Sequence, residues 1–87
     1  MHELTLMADV MGRVERVADE AGAERVTAVR IWLGALAHIS PEHLREHFEL
    51  AARGGVAERA AVEVEQSDDL SDPNAQEIVL VSIEVAG

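Results

Sequence analysis

Apolar residues at the start of the chain recur at helical spacing. Leu6, Val10, Val14, Val17 and Ala21 fall on one stripe, which predicts a helix over 6–21. Thr5 stands where an N-cap belongs, and Gly22 offers the left-handed residue that ends a helix. Gly12 lies inside and reads as a tolerated defect, costing up to ~1 kcal/mol against Ala. From Glu24 to Leu33 the period changes to two. Thr27, Val29, Ile31 and Leu33 point one way, while Val26, Ala28, Arg30 and Trp32 point the other, as a strand rich in β-branched residues requires. A second helix has a clear start: Ser40 as cap, Pro41 at the first helical position, and Glu42 at the positive end of the dipole. Leu44, Phe48 and Ala51 form its apolar stripe, and Gly54-Gly55 ends it.

Alternation returns at Ala60, Val62 and Val64 against Ala61, Glu63 and Glu65, which predicts a second strand. The polar stretch 67–76, SDDLSDPNAQ, breaks the pattern. Glu77 to Val85 then reads as a third strand with Val79, Val81, Ile83 and Val85 on one face. The order is α-β-α-β-β, which predicts an α+β domain of two layers, with both helices on one face of a three-stranded sheet. The other face is left open. Trp32, Val26 and Ala28 would lie on it and offer a partner surface, unless Trp32 folds over the sheet edge or meets a loop.

A length of 87 residues with 48% hydrophobic and 28% charged positions fits one folded domain, 1–87. The formal charge of −10, from 7 Arg and no Lys against 17 acidic residues, argues against a phosphate backbone or an anionic membrane surface as partner. No apolar run approaches the ~18 residues of a membrane span, and the start lacks the layout of a signal peptide, so the expected compartment is the cytoplasm. With no Cys there is no disulfide, no cysteine nucleophile and no expected zinc site. None of the four serines, Ser40, Ser67, Ser71 and Ser82, sits in a nucleophile motif, and no phosphate-cradling glycine loop is present. The chain does not read as an enzyme.

Three places carry ligand chemistry. At Met1-His2-Glu3, a free α-amine, the backbone amide nitrogens after it and an imidazole can close chelate rings round one cation. Such a nitrogen-rich planar set suits Ni(II) or Cu(II). His2 is bulky, so Met1 is expected to remain and keep the imidazole second in the chain. Any chain can carry His at that position, so the tripeptide alone does not decide the matter. His43 and His47 lie four apart on one side of the second helix. A complete metal site needs a third ligand, which Glu46 is not evidently placed to give, and the pair otherwise reads as surface histidines. His38 occupies the turn before Ser40.

The opening Met1-His2-Glu3-Leu4-Thr5-Leu6 resembles the M-H-E-[LIM]-[ST]-L start of the HypA/HybF family, nickel metallochaperones of [NiFe]-hydrogenase maturation. The likeness continues through Gly22-Ala23-Glu24-Arg25-Val26-Thr27-Ala28-Val29, Leu33-Gly34-Ala35-Leu36 and Ser40-Pro41-Glu42-His43-Leu44. It extends to Arg53-Gly54-Gly55-Val56-Ala57-Glu58 and Ser82-Ile83-Glu84-Val85. The resemblance implies a mixed three-stranded sheet and a Ni(II) site made by the Met1 amine, His2 with nearby backbone nitrogen, and Glu3. It implies as partners a HypB-type GTPase and the hydrogenase large subunit; some relatives serve urease. One departure is large. The family inserts a zinc module with two C-x-x-C pairs between the second and third strands, where this chain has only the polar linker 67–76. A minimal chaperone, a fragment, or a scaffold that kept the fold without carrying metal all fit that departure.

Overall fold

The computed structural model describes residues 3–87, with side chains from Met7 onward. The elements are α1 (Glu3–Glu20), β1 (Arg25–Leu33), α2 (Pro41–Ala52), β2 (Ala61–Gln66) and β3 (Ile78–Ala86), in the expected order. β1 is central in the order β2-β1-β3, parallel to β2 and antiparallel to β3. The parallel pair needs a crossover, which α2 supplies. Both helices pack on one face of this mixed sheet, α2 towards β2 and α1 towards β1 and β3.

The core lies between the layers. Val14, Val26, Val29, Ile31, Leu33, Leu44 and Phe48 are all at most 1% exposed. Each such burial is worth about 1.5–3 kcal/mol before entropy is charged against it. Val62 and Val64 of β2 and Ile78, Leu80 and Ile83 of β3 complete its floor.

Where the structure departs from the sequence pattern, the cause is local. α1 begins at Glu3, so Thr5 is inside the helix and is not its cap. Among the described side chains its buried face is Met7, Val10, Met11, Val14 and Ala18, and Val17 and Ala21 are exposed; Leu6 lies outside them. The helix stops as expected at Gly22 (φ 65), with Ala23 N–H donating to Ala18 O (2.9 Å) and Gly22 N–H to Asp19 O (3.0 Å). Among the described residues a Cβ on Gly12 would meet nothing within 4 Å, so that glycine makes no close contact with them. On α2 the buried row is Leu44, Phe48 and Ala52, one residue past the expected Ala51.

Two irregularities redirect side chains in the sheet. Val26 pairs with Val85 but Ala28 with Glu84, so Thr27 is an extra residue in β1. Arg30 pairs with Ser82 but Ile31 with Leu80, so Val81 is an extra residue in β3. An inserted residue shifts the alternation by one and moves the next stretch of strand to the other face. Val26 therefore joins Val29, Ile31 and Leu33 in the core, while Thr27 is exposed and its hydroxyl donates to Glu84 O (3.2 Å). In β3, Ile78, Leu80 and Ile83 are half-buried, whereas Val79, Val81 and Val85 are exposed.

The polar segment after β2 is a built turn. Asp72 Oδ1 accepts from Asn74 N–H (2.8 Å), and Ala75 N–H donates to Asp72 O (3.0 Å). Ala75, 3% exposed, docks on the end of β1, where Gly34 N–H reaches Glu77 O (2.9 Å) and Leu36 N–H reaches Ala75 O (2.7 Å). A Cβ at Gly34 would overlap the Ala75 carbonyl, so only glycine fits there.

Candidate metal centre

Of the three residues expected to hold metal, Met1 and His2 lie outside the described residues; Glu3 is described in its backbone, as the first residue of α1. That placement has a chemical consequence. The first four N–H groups of a helix have no carbonyl partner within it. The Glu3 amide is among them, so giving up its proton to a metal breaks no helical hydrogen bond. Glu3 is thus part of α1 itself and not of a segment ahead of it.

The described residues around α1 hold other polar groups. Asp9 and Arg13 of α1, His38 of the turn and Glu77 before β3 line one groove. His38 is exposed and adopts a left-handed conformation (φ 60), which His tolerates better than β-branched residues. Among the described residues no three His, Asp or Glu side chains come together as a metal site. His43 and His47 are brought side by side, with ring centroids 4.5 Å apart and planes tilted by 49°. Ser40 caps α2 by accepting from His43 N–H (3.1 Å), as its position and Pro41 predict. Sequence pattern gives no warning of Arg45, whose Nε donates to Val62 O (3.1 Å) and ties α2 to β2. A partly buried Arg in the first turns of a helix carries no sequence signal of such a bond.

The open face of the sheet carries Trp32, half-buried and paired with Val79 on β3 and Glu65 on β2. Beside it Arg30 and Glu63 stand 3.7 Å apart, with both side chains more than half exposed. Val26, expected there, faces the core instead, while Val79 lies across from Trp32 and is exposed.

Most stretches that carry the family resemblance have a visible structural task. Gly22 ends α1, Gly34 admits Ala75, and Ser40-Pro41 starts α2. In Arg53–Glu58, Gly54 takes φ 75 and its N–H donates to Glu58 Oε2 (2.8 Å), closing the turn that leads to β2. No helix among the described residues is long and apolar enough to cross a membrane.

Comparison with known proteins agrees with this reading. The family model described as hydrogenase/urease nickel incorporation, metallochaperone, hypA matches residues 1–71. The chain is 41% identical over 64 residues to hydrogenase maturation factor HypA of Rhodopseudomonas palustris (strain TIE-1), covering 74% of this chain and 57% of that protein. It is 40% identical over 64 residues to the factor of the same name from Archaeoglobus fulgidus, covering 74% and 58%. The chain thus matches little more than half the length of these curated relatives. In fold it is similar to the solution structure of the Ni metallochaperone HypA from Helicobacter pylori, with a TM-score of 0.81 at 16% identity over 99% of this chain and 98% of that one.

Proposed function

The chain belongs to the HypA family, and from that premise we propose that it is an accessory protein, not an enzyme, which holds Ni(II) at its amino terminus and passes it on during [NiFe]-hydrogenase maturation. The observation that carries the reading is the start of α1 at Glu3, which leaves a donor amide unengaged by the helix directly after the Met1 amine and the His2 imidazole in the chain. Amine, amide nitrogen and imidazole together favour a tetragonal ion of the Ni(II) or Cu(II) class. Affinity alone would select copper, so selectivity for nickel comes from supply and from partners. The Glu3 carboxylate is the further oxygen donor available to the same ion. Ligands on a chain terminus can leave one at a time, which suits release to a HypB-type GTPase or to the hydrogenase large subunit in the cytoplasm.

With no cysteine in the chain, zinc has no thiolate site, and the turn 67–76 stands where the family's zinc module would be inserted. A second reading keeps the fold and drops the cargo. It is favoured by the open face, where Trp32 and the exposed Val79 and Val81 would meet another maturation component. Calorimetry on untagged protein separates the two. His2→Ala is expected to remove the tight stoichiometric nickel site and leave the circular dichroism spectrum unchanged; unaltered nickel affinity in that variant would refute the carrier role.

A further inference from the structure

Strand pairing lays out the open face of the sheet as a grid. From β2 through β1 to β3 its rows are Ala61–Ala28–Glu84, Glu63–Arg30–Ser82 and Glu65–Trp32–Val79. Neighbouring strands run about 4.8 Å apart, so the members of one row can meet the same incoming group. Both helices lie on the opposite face. The charges in the grid do not balance. Arg30 is the one cation in these rows, and it stands 3.7 Å from Glu63. Glu65 and Glu84 are exposed and have no ion-pair partner among the described residues.

Trp32 is half-buried, and its pairing sets it between Glu65 and the exposed Val79. An indole face attracts a cation through its quadrupole, and a carboxylate beside it attracts the same cation by charge. Arginine answers both, because its planar guanidinium stacks on a ring while its N–H fork donates to a carboxylate. We propose that the open face is a docking surface for an arginine-rich segment of a partner protein, with one guanidinium stacked on Trp32 and donating to Glu65. Glu84 lies two rows away, about 13 Å along the strands, and holds a second cation that four residues of extended chain can carry there.

Charge selects this occupant over the others. Nucleic acid and anionic lipid would meet the carboxylates with like charge, and so would a second copy of this chain, whose net charge is −10. A purely apolar partner would bury Glu65 and Glu84 without a counter-charge. The surface serves a nickel carrier or a scaffold alike, and it does not depend on metal at the amino terminus.

Trp32 is the chain's only tryptophan, so its emission reports on this surface alone. The test titrates the metal-free full chain with hexa-arginine amide and, separately, hexa-lysine amide, at about 0.15 M salt, where exposed charges more than ~8 Å apart are largely screened. A saturable change in Trp32 emission is expected, with the arginine peptide binding more tightly. Followed through a dye on the peptide, Trp32→Leu should weaken binding about two- to fivefold. Glu65→Gln should weaken it by a similar factor, about two- to fivefold, and as a change at an exposed position it decides the matter if Trp32→Leu does not fold. Glu49→Gln removes the same charge from α2, in the other layer, and should leave binding unchanged. Emission that does not respond to peptide would overturn the proposal. So would an equal loss in Glu49→Gln and Glu65→Gln, which would mean that the peptide follows net charge alone. Emission that shifts with protein concentration before peptide is added would assign the face to a second copy and overturn it as well.

Discussion

The two faces of the sheet are built from the same three strands and obey different rules. On the covered face, Val26, Val29, Ile31 and Leu33 of β1 are at most 1% exposed and meet Val14, Leu44 and Phe48 from the helices. On the open face, Ala28, Arg30 and Trp32 stand beside Glu63 and Glu65 and remain partly in water. Stability is concentrated on the first face because each side chain there has left solvent entirely. Contacts on the second face are screened by water and add little to stability.

That contrast can be broken, and the largest effect should come from the covered face. Phe48→Ala removes the chain's sole phenylalanine from a site 1% exposed, and should cost about 3–5 kcal/mol in urea unfolding. Next comes the seam between the layers' edge and the turn. Gly34→Ala forces the Ala75 carbonyl away from the end of β1 and should cost roughly 1–3 kcal/mol, read as a drop in thermal midpoint. On the open face, Arg30→Ala should change stability by no more than about 0.5 kcal/mol, because the 3.7 Å pair with Glu63 is exposed on both sides. A loss several times larger would show that the open face shares the load.

The smallest effect is a pH effect in the turn. Hydrogen bonds from the Ser71 side chain and backbone hold the Asp69 carboxyl below its ordinary value of 3.8. A lowered carboxylate stabilises the folded turn fully above that ordinary value, and the contribution is lost as pH falls through the lower folded one. Ser71→Ala should return the Asp69 titration, followed by NMR, towards 3.8.

The covered face also shows what a sequence makes readable. Helix order, the Ser40-Pro41 start and the Gly22 stop are local events, fixed by residues within a turn of one another. Alternation locates all three strands but puts Val26 on the wrong face, and Val79 and Val81 on the same face as Ile83. The extra residues Thr27 and Val81 exist only in the pairing between β1 and β3, and no single strand records them. Ala75 reads as part of a polar linker because its pocket is made by Gly34, far away in the chain. At the site the position is reversed. Met1-His2-Glu3 is legible as chemistry and as family resemblance, while the structure adds the start of α1 at Glu3.

The central claim is that the first amine and the adjacent imidazole grip one nickel ion together. Nickel calorimetry on protein with a free Met1 amine, beside the same protein acetylated there, tests it most directly. A tight equivalent should bind to the free-amine form and disappear on acetylation. Equal tight binding by both forms would contradict the claim.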